Sequence, residues 1–162
     1  MNAPLALSPA ALARIDQAVA KYPSDQKQSA VMAALTIAQE EKGWLSTATM
    51  DFIAQYLEMP PIAVYEVASF YTMYDLKPIG KCKLAICTNL PCALQGATAA
   101  AAHLKQKLGI GFGETTADGS FTLKEAECLG ACGDAPVVLV NNKRMACAMT
   151  ADKLDKLIEE MK

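Results

Sequence analysis

The chain has 162 residues, of which 52% are hydrophobic and 20% charged, so it carries enough apolar side chains for a substantial core. Its 15 basic and 17 acidic residues give a formal net charge of -2, which leaves no excess of positive charge for binding nucleic acid. No apolar run approaches the ~18 residues that a membrane-spanning helix requires, and no secretory leader is recognisable. We therefore expect a cytosolic protein that does not itself insert into a membrane.

The first part of the chain has the periodicity of four short amphipathic helices. Ser8 and Ser46 are suited to cap the first and third helices, and Pro60-Pro61 separates the third helix from the fourth. The apolar stripes predicted to face a common core are Leu12, Ile15, Val19 and Tyr22; Val31, Ala34, Leu35 and Ala38; Met50, Ile53, Ala54 and Leu57; and Val64, Val67, Ala68 and Tyr71. Residues 1–75 are thus predicted to form a helical bundle.

The pattern changes after this point, and residues 76–162 are predicted to form a small α/β domain. An alternating strand leads into an alanine-rich helix, three further strands follow, and Thr150 is suited to begin a last helix. The predicted strands are Lys81–Cys87, Phe121–Lys124, Val137–Val140 and Arg144–Met149, with a tight turn at Asn141-Asn142. This order of elements predicts a thioredoxin-like topology.

Four of the six cysteines form two close pairs. Cys87 pairs with Cys92 after a predicted strand, Cys128 pairs with Cys132 before one, and 35 residues (93–127) separate the pairs. A cytosolic chain rarely keeps disulfides, so metal or redox chemistry is the better expectation. Iron–sulfur clusters bind thiolates, and a 2Fe–2S core needs two on each iron. The two pairs therefore predict one 2Fe–2S cluster in an electron carrier.

Residues beside the cysteines fit a cluster of this kind. Gly130 and Gly133 allow the backbone to approach it, and the loop amides can point at the sulfurs. Leu90, Leu129 and Pro136 are predicted to cover the site against water.

Three other interpretations of the four cysteines stay open at this point. Structural zinc also binds four cysteines, although its pairs more often have Cys-x-x-Cys spacing. Thioredoxin-type catalysis requires Cys-x-x-Cys at the start of a helix, a spacing that neither pair has. Buried structural thiols are the third interpretation.

The remaining cysteines and the only histidine are predicted to lie outside the site. Cys82 shares one face of its strand with Leu84 and Ile86, and Cys147 alternates with two methionines, so both are predicted to pack in the core. His103 is predicted to be a surface residue, which leaves acid–base catalysis without its most common side chain.

Longer stretches between Tyr22 and Val140 form a recognisable set. They are Gln28-Ser29-Ala30-Val31, Ala38-Gln39-Glu40, Gly43-Trp44, the run from Val64 to Tyr74 (Val-Tyr-Glu-Val-Ala-Ser-Phe-Tyr-Thr-Met-Tyr), Pro78-Ile79-Gly80-Lys81, Gly113-Glu114-Thr115-Thr116, Asp118-Gly119, and the segments from Cys87 to Cys92 and from Glu127 to Cys132. As a set, they resemble the small thioredoxin-like 2Fe–2S subunit of the NADH dehydrogenase module of respiratory complex I (NADH:quinone oxidoreductase).

The resemblance implies a thioredoxin-like 2Fe–2S ferredoxin domain behind an N-terminal helical bundle, with Cys87, Cys92, Cys128 and Cys132 as the ligands of one cluster. It implies one-electron transfer beside a flavoprotein subunit that binds FMN and NADH, since this chain has no NADH site of its own. It also implies a further iron–sulfur subunit of the peripheral arm as a partner, and a cytoplasmic location peripheral to the inner membrane. The alternative is the equivalent subunit of an NAD-linked hydrogenase or formate dehydrogenase.

Overall fold

The computed structural model describes residues 7–162. Contacts along the chain separate a first unit that ends at Pro78 from a second that begins at Ile79. Within the described residues, no helix combines the length and apolar character needed to cross a membrane.

The first unit contains the four predicted helices. They are α1 (Pro9–Val19), α2 (Val31–Lys42, preceded by a 3₁₀ turn at Lys27–Ala30), α3 (Thr47–Tyr56) and α4 (Pro61–Phe70). Both predicted caps are confirmed, because Ser8 Oγ accepts from the amide of Ala11 at 3.2 Å and Ser46 Oγ accepts from that of Thr49 at 3.1 Å. Gly43 directly follows α2 and caps its C-terminus, with a φ of 82° that suits a residue without a Cβ.

The core of this unit uses the predicted apolar stripes, with two exceptions. Ile15, Leu35 and Ile53, one from each of the first three helices, have at most 1% of their surface exposed. Tyr22 and Tyr71 were expected in the stripes and are exposed instead. Helix α1 stops at Val19 and α4 at Phe70, so both tyrosines lie beyond a helix end, where helical spacing no longer fixes their direction.

The second unit is a five-stranded mixed sheet with helices. Its elements are β1 (Cys82–Cys87), α5 (Leu90–Leu94), α6 (Ala97–Leu108), β2 (Glu114–Thr115), β3 (Phe121–Ala126), β4 (Val138–Val140), β5 (Arg144–Ala146) and α7 (Ala151–Glu160). The strand order is β2-β3-β1-β4-β5, with β1 and β3 parallel and the other pairs antiparallel. The predicted series of elements is confirmed, and α5 and β2 are additions that the pattern did not indicate.

The alanine-rich helix packs closely on this sheet. Ala100, Ala101 and Leu104 of α6 are buried together with Leu84 of β1 and Leu123 of β3. Small side chains on the buried face allow the helix to lie near the strands, and α7 adds a strongly amphipathic face to the same core.

The predicted last strand is shorter than expected. Asn141 and Asn142 form the predicted turn between β4 and β5, with φ values of 51° and 56° in the left-handed region that asparagine tolerates. Strand β5 was expected to continue to Met149 but ends at Ala146. Ala148 has a φ of 50°, and its amide donates to the carbonyl of Asp134 at 2.7 Å, so the chain turns out of the hairpin and bonds to the second cysteine loop.

Candidate metal centre

Sheet topology brings the two cysteine segments to one edge. Parallel pairing sets Cys87, the last residue of β1, opposite Ala126, the last residue of β3. Strand β4 runs the other way and therefore begins at this same edge, where the amide of Cys87 donates to the carbonyl of Val137 at 3.1 Å. The loop that joins β3 to β4 and contains Cys128 and Cys132 thus starts and finishes beside the end of β1.

The first pair of cysteines lies on a tight strand-to-helix connection. Cys87 ends β1, and Cys92 lies on the short helix α5, which Pro91 helps to begin. Both thiols are buried, and they form a small cluster with Ala97, against which Leu129 of the second loop packs. The sequence predicted a loop here; the helical turn places Cys92 on the inward face of α5.

The second pair lies on an exposed loop shaped by a glycine. Gly130 has a φ of 72°, and its amide donates to Cys128 Sγ at 3.4 Å, one example of the predicted amide-to-sulfur contacts. Cys132 opens a 3₁₀ turn that continues to Asp134. The side chains of Cys128 and Cys132 are both exposed, in contrast to the buried first pair.

Burial and neighbouring thiols together raise the pKa values of Cys92 and Cys132. Burial and then the hydrogen bond with Cys87 raise the pKa of Cys92 to about 11, with smaller effects from the charges of Cys132 and Cys128. Partial desolvation and then the charge of Cys128 raise the pKa of Cys132. The charges of Cys128 and Cys132 also raise the pKa of Cys92, and the charge of Cys87 raises that of Cys132, so the two pairs lie near enough to interact electrostatically.

The donor set fits a 2Fe–2S cluster. The cysteines are free thiols, and hydrogen bonds join Cys87 to Cys92 and Cys128 to Cys132, so the sulfurs are arranged as two pairs. Among residues 7–162, no three Cys, His, Asp or Glu side chains converge in a way that would hold one metal ion. A 2Fe–2S cluster takes two thiolates on each iron, and two pairs of thiols supply that number.

The predicted apolar cover is correct in part. Leu129 packs against the buried thiols and Pro136 is half-buried, after a cis peptide bond with Ala135. Leu90, however, points into solvent with 71% of its surface exposed. It begins α5, whose inward face is already occupied by Cys92, so its side chain is directed outward.

The other sulfur and imidazole groups lie in different surroundings. Cys82 is buried in the core as predicted, and burial raises the pKa of its thiol. Cys147 is only half-buried; because Ala146 pairs with Val138, Cys147 comes to the same sheet edge as the cysteine loops. Early termination of β5 explains why the alternation that predicted a core thiol fails. His103, which was predicted to be a surface residue, is partly exposed. Its Nε2 lies 2.8 Å from Oδ1 of Asp155 on α7.

Comparisons with known proteins agree with this fold. The model of the thioredoxin-like [2Fe-2S] ferredoxin family matches residues 15–162. The E subunit of the NADH-quinone oxidoreductase of Rickettsia felis is 44% identical over 143 residues, which are 88% of this chain and 85% of that protein. The mitochondrial NADH dehydrogenase [ubiquinone] flavoprotein 2 of Dictyostelium discoideum is 41% identical over 150 residues, 90% of this chain and 61% of that protein.

A solved structure shares the fold at lower identity. A chain of the NAD+-reducing [NiFe]-hydrogenase in its H2-reduced state aligns with a TM-score of 0.68 and 24% identity, covering 78% of this chain. The aligned region is 22% of the hydrogenase chain, so the comparison concerns one part of a larger polypeptide. Family model, relatives and fold agree: the chain belongs to the family of thioredoxin-like [2Fe-2S] ferredoxins.

Proposed function

We propose that the chain transfers single electrons through one 2Fe–2S cluster bound by Cys87, Cys92, Cys128 and Cys132, as the small iron–sulfur subunit of an NADH-quinone oxidoreductase. The observation that carries this proposal is the meeting of two thiol pairs at one edge of the sheet. High identity to the corresponding Rickettsia protein over most of the chain supports the choice of enzyme.

The chain contributes ligands and surroundings. A bound 2Fe–2S cluster supplies one-electron transfer, and its potential depends on hydrogen bonds to sulfur, charge and exposure to solvent. The amide of Gly130 donates to Cys128 Sγ and stabilises negative charge there. Leu129 and Ala97 exclude water from Cys87 and Cys92, whereas the exposed second pair keeps the other side of the site open.

The remaining chemistry belongs to partners. In this proposal a flavoprotein subunit binds FMN and NADH and performs the hydride transfer, while a further iron–sulfur subunit of the peripheral arm completes the assembly. The chain would then work on the cytoplasmic side of the inner membrane, attached through that complex. We also propose that residues 1–75 and 76–162 are separate domains, the second holding the cluster; the division of contacts at Pro78 supports this.

The alternative function is electron transfer through the same 2Fe–2S cluster in a different enzyme. An NAD-linked hydrogenase or formate dehydrogenase can use an equivalent subunit, and the fold shared with a hydrogenase chain favours this second candidate. Proteins that co-purify with the chain distinguish the two, because membrane-arm subunits indicate a quinone reductase and a nickel-containing subunit indicates a hydrogenase.

The test is electron paramagnetic resonance on the complex purified anaerobically. Addition of NADH is expected to produce the signal of a reduced 2Fe–2S centre, and Cys128→Ser in this chain is expected to remove that signal while leaving signals of the other subunits. An unchanged set of signals in the variant would contradict the proposal.

A further inference from the structure

The second cysteine segment, residues 127–136, is attached differently at its two ends. Near its C-terminal end, two backbone hydrogen bonds of 2.7 Å and 3.0 Å join it to the chain that follows β5. Its start follows Ala126, whose carbonyl accepts from the amide of Thr88 at 3.4 Å, longer than the usual range of about 2.7–3.2 Å. The backbone therefore holds the start of this segment less firmly than its end.

A side-chain hydrogen bond strengthens the attachment at the start. Thr88 Oγ1 donates to Oε1 of Glu125 at 2.6 Å. A bond between a hydroxyl and a carboxylate is charge-assisted, and it is stronger than a bond between neutral groups. Thr88 directly follows Cys87, and Glu125 lies three residues before Cys128, so this one bond joins the two stretches of chain that carry the cysteine pairs.

The strands direct both side chains to the same face of the sheet. Because side chains alternate along a strand, Thr88 and Glu125 continue the faces of β1 and β3 that pack on α6. Lys124 belongs to the opposite face, and residues 84–104 and 125–142 contain no Lys or Arg. The carboxylate of Glu125 is thus held by a hydroxyl instead of a cation from these segments.

The second cysteine segment covers the first pair of thiols. Leu129 packs against the cluster formed by Cys87, Cys92 and Ala97. Cys87 and Cys92 have only 1% and 2% of their surfaces exposed. Movement of the segment away from this position would carry Leu129 with it and admit water to the two buried thiols.

We propose that Thr88 is a positioning residue of the cysteine site, whose hydroxyl holds Glu125 and so keeps the second cysteine segment closed over Cys87 and Cys92. This rests on the proposed function, in which one cluster needs both pairs of thiols in a fixed arrangement. Without the bond the segment opens more often, and a bound cluster becomes more accessible to chelators. The bond is present before a cluster binds, so the cluster-free chain is expected to show the same opening.

The first test is the rate at which the full chain, carrying its cluster, releases iron to a chelator. Thr88→Val replaces the hydroxyl with a methyl group and keeps the shape of the side chain. It is expected to release iron about threefold to tenfold faster, because it lacks one hydrogen bond to a charged group. Thr88→Ser, which keeps a hydroxyl, is expected to release iron like the unmodified chain.

The second test follows alkylation of the reduced, cluster-free full chain by iodoacetamide, with mass spectrometry to locate the modified cysteines. Circular dichroism checks that each variant is folded. Thr88→Val is expected to raise the alkylation rates of Cys87 and Cys92 by the same factor of about three to ten. Cys82 serves as an internal reference, because it is 1% exposed in the core and reacts only when the whole unit unfolds.

A matched substitution controls for the loss of a threonine hydroxyl from the sheet. The Oγ1 atoms of Thr115 and Thr122 lie 2.7 Å apart between β2 and β3, near the end of β3 away from the cysteines. Thr115→Val is expected to leave iron release and the alkylation of Cys87 and Cys92 unchanged.

A double variant tests whether Thr88 acts through Glu125. Glu125→Ala is expected to have the same effect as Thr88→Val, because each substitution removes the same hydrogen bond. Thr88→Val combined with Glu125→Ala is then expected to be no faster in either test than the single variants.

Several results would overturn the proposal: normal rates in Thr88→Val, no rescue in Thr88→Ser, equal acceleration at Cys82, or effects of the two substitutions that add. Faster iron release without faster alkylation would overturn it too, because the segment would then not have opened. Absence of a cluster from the unmodified chain would instead contradict the proposed function, and the alkylation rates would still test the bond.

Discussion

At the residue scale, Cys128 and Cys147 allow a direct comparison of two thiols at the same sheet edge. We expect Cys128→Ser to lose or destabilise the cluster, because one iron would lack a thiolate. Cys147→Ser is expected to keep it, since Cys147 belongs to neither pair. Iron and acid-labile sulfide per chain measure the difference, and equal iron contents in the two variants would contradict the proposed ligands.

Gly130 and Gly133 form a second comparison, this time of backbone conformation. Gly130 has a φ of 72°, whereas Gly133 lies outside the left-handed region, and a Cβ at either position would meet nothing within 4 Å. Gly130→Ala is therefore expected to lower the free energy of unfolding by about 1–2 kcal/mol, because alanine is strained in the left-handed conformation. Gly133→Ala is expected to have little effect on stability.

Chemical denaturation of both variants, followed by circular dichroism, checks this prediction. Faster release of iron to a chelator is also expected from Gly130→Ala, because the amide of Gly130 donates to Cys128 Sγ. Equal stability and equal iron release in the two variants would show that the loop does not depend on this glycine.

At the element scale, the start of α1 is tied to the end of α2 by one serine and one carboxylate. The hydroxyl and amide of Ser8 donate to Glu41 at 2.6 Å and 3.0 Å. The pKa of Glu41 is lowered from its ordinary 4.5 to about 2. The hydrogen bond from the Ser8 hydroxyl is the largest cause, and the hydrogen bond from Lys42 is the second. A carboxyl group whose pKa is lower in the folded state stabilises folding above its ordinary pKa.

This stabilisation is expected to be present above pH 4.5 and to disappear as the pH falls toward 2. Glu41→Gln removes this pH-dependent stabilisation. The free energy of unfolding of the variant is therefore expected to fall less between about pH 5 and pH 2 than that of the unmodified chain. Urea denaturation at several pH values measures this, with Glu66→Gln, a carboxylate on α4, as the control. Identical pH profiles for Glu41→Gln and the unmodified chain would disprove it.

Helices and helix caps could be predicted where interactions between residues close in sequence determine them. Ser8, Ser46 and Gly43 sit at helix ends because their own side chains or backbone freedom satisfy terminal groups there. Helix α5 was missed because five residues show no periodicity and its stability comes from burying Cys92. The early end of β5 was missed because it depends on a hydrogen bond from Ala148 to Asp134, a contact made across the fold.

The two pairs of cysteines could be predicted from the sequence, whereas the burial and the side-chain directions around them could not. Spacing alone indicated two pairs of thiols, and the sheet register explains why the segments that carry them lie at the same edge. Spacing could not indicate that Leu90 faces solvent or that the first pair is buried and the second exposed, because side-chain direction depends on packing around α5.

At the scale of the whole molecule, the proposed domains predict that residues 76–162 suffice for the cluster. All four proposed ligands and the entire sheet lie in this segment, and it has its own buried core. Expressed alone, the segment is expected to bind iron and sulfide in the same ratio as the full chain. Iron analysis and circular dichroism check this, and an unfolded or iron-free fragment would show that the first unit is needed.

The most direct test of the central claim is the metal content of the full chain after anaerobic purification, read together with its visible spectrum. Two irons and two sulfides per chain are predicted, with broad visible absorbance that dithionite bleaches. A colourless protein containing zinc, bound by the same cysteines, would contradict the account.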